Sequence, residues 1–144
     1  MKQLLIAISA SVISFVILTT VYASGEFDAK SWKDLDVRKY NSLIENAAAR
    51  KETWIAKPEL YVHHLLGMGE TKNILYSVEA NTMEGPTEYT VKLKRDGMLD
   101  DSVRADINIF VLLLSDKGYW VVGKAKRASS CWKDKRNEFY GKSC

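Results

Sequence analysis

The sequence predicts an α+β fold, with two N-terminal helices packed on a four-stranded antiparallel meander sheet. Three observations carry this expectation. Residues 31–53 contain neither Gly nor Pro and place apolar residues at helical spacing. After Gly69 the apolar period drops from 3.6 to 2. Short turn-forming stretches then separate the alternating segments.

Helix one is expected from Ser31 to about Thr53. Ser31-Trp32-Lys33-Asp34 fits a start signal in which a hydroxyl accepts from a free backbone N–H. Ala47, Ala48 and Ala49 favour helix, and Tyr40, Leu43, Ile44, Ala47 and Ala48 share one face. Lys57-Pro58 breaks the helix, and Pro58 can open a short second one ending near Leu66. Tyr61, Val62, Leu65 and Leu66 are its apolar face, and Gly67 its stop.

The strands follow by alternation. Ile74, Tyr76, Val78 and Ala80 form the first, and Glu84-Gly85-Pro86 a turn. Tyr89, Val91 and Leu93 alternate with Thr90, Lys92 and Lys94, and Asp96-Gly97 turns again. A long row runs from Val103 through Ala105, Ile107, Ile109 and Val111 to Leu113. Its opposite row starts polar, at Arg104, Asp106 and Asn108, and ends apolar, at Phe110, Leu112 and Leu114. This second row is expected to be covered at its apolar end or to expose a binding patch there. Asp116-Lys117-Gly118 leads into Tyr119-Trp120-Val121-Val122. Short connections make an antiparallel meander the simplest topology.

Residues 1–23 stand apart from this pattern. Lys2 precedes an uncharged run from Leu4 to Ala23, which closes on Val21-Tyr22-Ala23. This reads as a secretory signal peptide. The alternative is an uncleaved anchor, since the run is long enough to span a bilayer. Export, to the periplasm or beyond, is expected under both readings. Residues 24–144 then form a single domain, with membrane contact only through residues 4–23 if they are retained.

Composition narrows the function classes. Twenty-one Lys and Arg stand against 18 Asp and Glu, a net charge of +3, which does not mark a nucleic-acid binder. The two cysteines, Cys131 and Cys144, cannot build a four-ligand zinc site. In an oxidising compartment they are expected to pair and pin the tail. Such a loop of about 14 residues is worth roughly 3 kcal/mol in the chain-entropy model. Two reactive thiols are the alternative.

The charge gathers around that staple. Eight Lys or Arg lie between Lys117 and Lys142, with Trp132, Phe139 and Tyr140 among them. Lys124, Lys126, Arg127, Trp132, Lys133 and Arg136 are a candidate surface for an anionic polymer or an envelope protein. The competing reading is a solvated loop whose aromatics pack back on the core.

Candidates for catalysis are sparse. His63 and His64 are adjacent on the second helix and point about 100° apart, which is poor for chelating one metal. Asp100, Asp101 and Ser102 form the densest polar cluster, and their place after Gly97 favours a turn over acid–base work. Ser102 sits in no nucleophile-elbow pattern, and no phosphate loop or zinc-protease signature occurs. No catalytic residue, metal or cofactor is therefore expected.

Several segments in order resemble a family. They are Thr53-Trp54 with Lys57-Pro58, Gly97-Met98-Leu99-Asp100-Asp101-Ser102-Val103, Gly118-Tyr119-Trp120-Val121-Val122, Cys131-Trp132, and Phe139 to Cys144. The pattern resembles small exported bacterial proteins of unknown function that share a DDSV run and a Cys-Trp near a closing Cys. Lys133-Asp134-Lys135-Arg136 stands where that family often has Gly-Arg-Gly. The resemblance implies export and carries over no catalytic residue. The order of elements is also similar to cystatin-like and nuclear-transport-factor-2-like folds, by analogy only. The expected role is a non-enzymatic binding module of the cell envelope. The alternatives are an inhibitor or immunity protein against an envelope hydrolase, or a small-ligand or enzyme pocket.

Overall fold

In the computed structural model, which describes residues 25–67 and 69–144, one antiparallel sheet contains five strands. The signal-peptide reading falls on residues 1–23, outside the described residues. The strands are β1 (Lys33–Asp34), β2 (Asn73–Ala80), β3 (Glu88–Asp96), β4 (Val103–Leu114) and β5 (Trp120–Cys131). Their spatial order is β1-β5-β4-β3-β2. The helices are α1 (Val37–Ala49) and α2 (Tyr61–Leu66).

This corrects the expected four strands and two longer helices. Lys33 and Asp34, read as the first turn of a helix, instead pair with Arg127 and Lys126 on the outer edge of β5. That edge would otherwise present unpaired backbone groups. Ser31 caps no helix, and its hydroxyl accepts from the Gly141 N–H at 3.0 Å. The true cap is Asp36, whose Oδ1 accepts from the Arg38 N–H at 3.0 Å. Ahead of α2, Pro58–Leu60 is a 3₁₀ turn, so the α-helical part starts three residues later than expected. Gly67, at φ 67°, ends α2 with its N–H on the His63 carbonyl.

The helices cover one sheet face. Tyr40, Ile44 and Ala47 of α1 and Tyr61, Val62 and Leu65 of α2 pack with Trp54 and Ile55. Beneath them lie Val91, Leu93, Phe110, Leu112, Trp120, Val122 and Ala125. Two polar contacts fix the packing. The Tyr61 hydroxyl sits 2.6 Å from the Ile55 carbonyl and 2.7 Å from the Trp120 carbonyl. The Asn41 amide donates to the Val122 carbonyl at 3.0 Å and accepts from the Val122 N–H at 2.8 Å. This contact sits at a bulge. Val111 pairs with Lys124 and Leu112 with Val122, leaving Gly123 unpaired. A Cβ on Gly123 would lie 2.5 Å from Leu113 Cδ1, so a side chain there would have to displace Leu113.

Candidate functional site

Among the described residues, the other face of the sheet carries no helix. Register places Lys92, Ile109 and Lys126 side by side across β3, β4 and β5, with Thr90, Val111 and Lys124 in the next row. These six residues line an open groove of about 270 Å³. The apolar row that the sequence shows from Val103 to Leu113 is thus the spine of the helix-free face. The mixed row faces the helices, where Phe110 and Leu112 are fully buried. The expected patch at the end of that row is core, except Leu114, which remains exposed.

Residues 25–32 and the C-terminal tail cross the helix-free face, on which Ile107 is fully buried. Phe27 lies 5.8 Å from the Lys92 ammonium, Trp32 4.2 Å from that of Lys126, and Phe139 5.4 Å from that of Lys94. Aromatic faces attract these cations and hold their stems against the sheet. The two end segments are joined by the Lys30 N–H donating to the Phe139 carbonyl. Beyond them the spine stays open at Ile109, Val111 and Leu113, the last 39% exposed. Lys92 also meets Glu79 at 2.8 Å, a hydrogen bond that holds the Glu79 carboxyl below its ordinary range. Among the described residues Lys124 has no carboxylate within 4 Å.

The surface read from the linear tail is not one surface. Lys124 and Lys126 lie on the helix-free face. Arg127 points the other way, with its guanidinium 3.3 Å from the Asp106 carboxylate. Trp132 is 51% exposed beyond β5 and donates its indole N–H to the Asp100 carbonyl at 2.9 Å. Lys133 and Arg136 stand in the exposed segment after β5, Arg136 being 3.7 Å from Glu138.

The tail itself is held by the Cys131–Cys144 disulfide, with Cα atoms 5.4 Å apart. Tyr140 exchanges two backbone hydrogen bonds with Ser129, taking over the edge of β5 where β1 stops. Gly141 presses against the Trp32–Lys33 backbone, where a Cβ would collide.

Asp100 forms a turn. Its Oδ1 accepts from the Val103 N–H at 2.7 Å and the Ser102 N–H at 2.8 Å, which keeps its carboxyl below the ordinary range. Asp101 is exposed beside it. His63 and His64 are exposed on α2, and His64 stacks on Trp54 at 4.4 Å. Among the described residues no group of three or more His, Cys, Asp or Glu could hold a metal ion.

One cluster escaped the sequence reading. Asp106 is fully buried on the helix side and receives Arg95 at both oxygens, at 2.9 and 2.5 Å. Arg127 supplies a second guanidinium. Arg104, Asp106 and Asn108 read only as the polar start of a row, and nothing in linear order pairs Arg95 with Asp106. Asn108 Nδ2 and Arg127 Nε are buried there without a partner.

Among the described residues no helix is long and apolar enough to cross a membrane. No protein-family model, curated protein or solved structure matches this chain.

Proposed function

We propose that this chain is an exported, non-enzymatic binding module of the cell envelope. It takes an anionic, partly apolar partner on the helix-free face of its sheet. One observation carries the reading: Lys92, Lys124 and Lys126 flank Ile109 and Val111 in an open groove with no carboxylate in its lining. An apolar floor gains from being covered, and the lysines favour a cover of negative charge. Antiparallel sheets commonly pack one face and leave the other to water; here the second face is packed at Ile107 and stays apolar where it opens, at Ile109, Val111 and Leu113. Export rests on the sequence of residues 1–23, and the disulfide suits an oxidising compartment.

The test is salt-dependent retention of the full chain, in mild detergent, on immobilised heparin as a polyanion probe. Lys124→Glu/Lys126→Glu is expected to elute at clearly lower salt than the parent. Lys133→Glu/Arg136→Glu, an equal charge change beyond β5, is expected to shift elution less. Equal shifts for both pairs would show that net charge alone governs retention, and the face reading would fall.

A further inference from the structure

We infer that the cover of the helix-free face is the anionic surface of a lipid bilayer, contacted while residues 1–24 remain attached. The inference rests on the binding-module reading above and goes beyond it by naming the partner.

Two independent features converge on this face. The first is its chemistry. Lys124 and Lys126 stand on β5 beside Ile109 and Val111, and the same row continues to the exposed Leu113. An interfacial element combines apolar side chains that enter the headgroup boundary with lysines that meet lipid phosphates. Long lysine stems suit this position, because they keep the ammonium at headgroup level while their methylenes cover the floor.

The second feature is where the N-terminal segment joins. Leu4 to Ala23 is uncharged and long enough to enter a bilayer. Gly25 to Lys30 runs beside this face, with Phe27 near Lys92 and Glu26 lining a cavity with Lys94. A segment inserted in lipid would therefore keep this face within reach of the membrane. The short link gives a high effective concentration of bilayer, so weak contacts suffice. Glu26, Asp28 and Glu79 stand at the β2 and β3 side, which tilts the contact towards β5.

The test is a lysine footprint. The full chain is reconstituted in phosphatidylcholine vesicles, with and without about 30% phosphatidylglycerol, and each lysine's acetylation rate is read by mass spectrometry. Lys124 and Lys126 are expected to react at least about threefold more slowly on the anionic vesicles, while Lys51 and Lys57 keep their rates. Equal rates at Lys124 and Lys126 on both vesicles overturn the inference. So does slowing that spreads to Lys51 and Lys57. Should heparin retention depend on Lys124 and Lys126 while the footprint stays flat, the module reading stands and the lipid partner falls. If retention fails as well, both fall.

Discussion

The two faces of β4 show what hydrophobic patterning can and cannot say. Ile107, Ile109, Val111 and Leu113 make the more uniformly apolar row, yet the helices cover the other one. That other row begins with a buried carboxylate, Asp106, and a buried amide, Asn108. Alternation reports that a strand has two faces. It does not report which face the rest of the chain will cover, because that depends on where the helices land.

The faces should therefore differ sharply in their response to truncation. Phe110→Ala, which empties the space beneath Tyr40, is expected to cost about 3–5 kcal/mol. Val111→Ala, one residue on and only partly buried, should cost about 1 kcal/mol or less. Denaturant midpoints of the full chain in mild detergent, at unchanged slope, measure both. Similar losses for the pair would mean that something covers the helix-free face in the free protein.

Asp106 sharpens the contrast within the covered face. Asp106→Ala leaves Arg95 buried without its carboxylate, and about 3 kcal/mol should be lost. The size reflects the unpaired Arg95 guanidinium, so Arg95→Met/Asp106→Leu should recover most of it, the part-exposed Arg127 turning to solvent. Lys92→Ala, which breaks the exposed pair with Glu79, should change stability by no more than about 0.5 kcal/mol. The same unfolding measurement separates these cases. A double variant no more stable than Asp106→Ala would refute the unpaired-charge account.

Much of this architecture was legible before the structure. Four alternating segments and their turns follow from Glu84-Gly85-Pro86, Asp96-Gly97 and Asp116-Lys117-Gly118. The Cys131–Cys144 pairing followed from compartment and count. The fifth strand was not legible, since two residues carry no period and Lys33–Asp34 pairs only because the β5 edge is free. The groove was half legible. Lys124 and Lys126 stand out in the sequence for lying in a basic tail, whereas Lys92 looks like ordinary alternation. Only the register across Ile109 sets Lys92 and Lys126 in one row. Arg127 was grouped with its neighbours in sequence, and one residue of pleat sends it to the opposite face.

The start of α1 tests how local signals compete. Ser31-x-x-Asp34 has the pattern of a cap, yet Asp36 is the cap the helix uses, and this choice decides how much helix lies over the covered face. Asp36 wins because the Arg38 guanidinium grips its carboxylate at 2.7–3.1 Å while the Arg38 N–H satisfies Oδ1. The hydrogen bond from the Arg38 side chain is the main reason its pKa falls from 3.8 to about 2. A carboxylate lowered in the folded state stabilises fully above its unfolded value and stops doing so as pH falls through the folded one. The Asp36 contribution is therefore present above 3.8 and fades on acidification towards about 2. Asp36→Asn keeps a capping oxygen but cannot titrate, so its stability should fall less across that window than the parent's. Ser31→Ala should leave the acid dependence intact, because its hydroxyl serves Gly141 and not the helix. Parallel acid titrations of denaturant midpoints for the three proteins check this. If Asp36→Asn keeps the full acid dependence of the parent, the Asp36–Arg38 account of the cap falls.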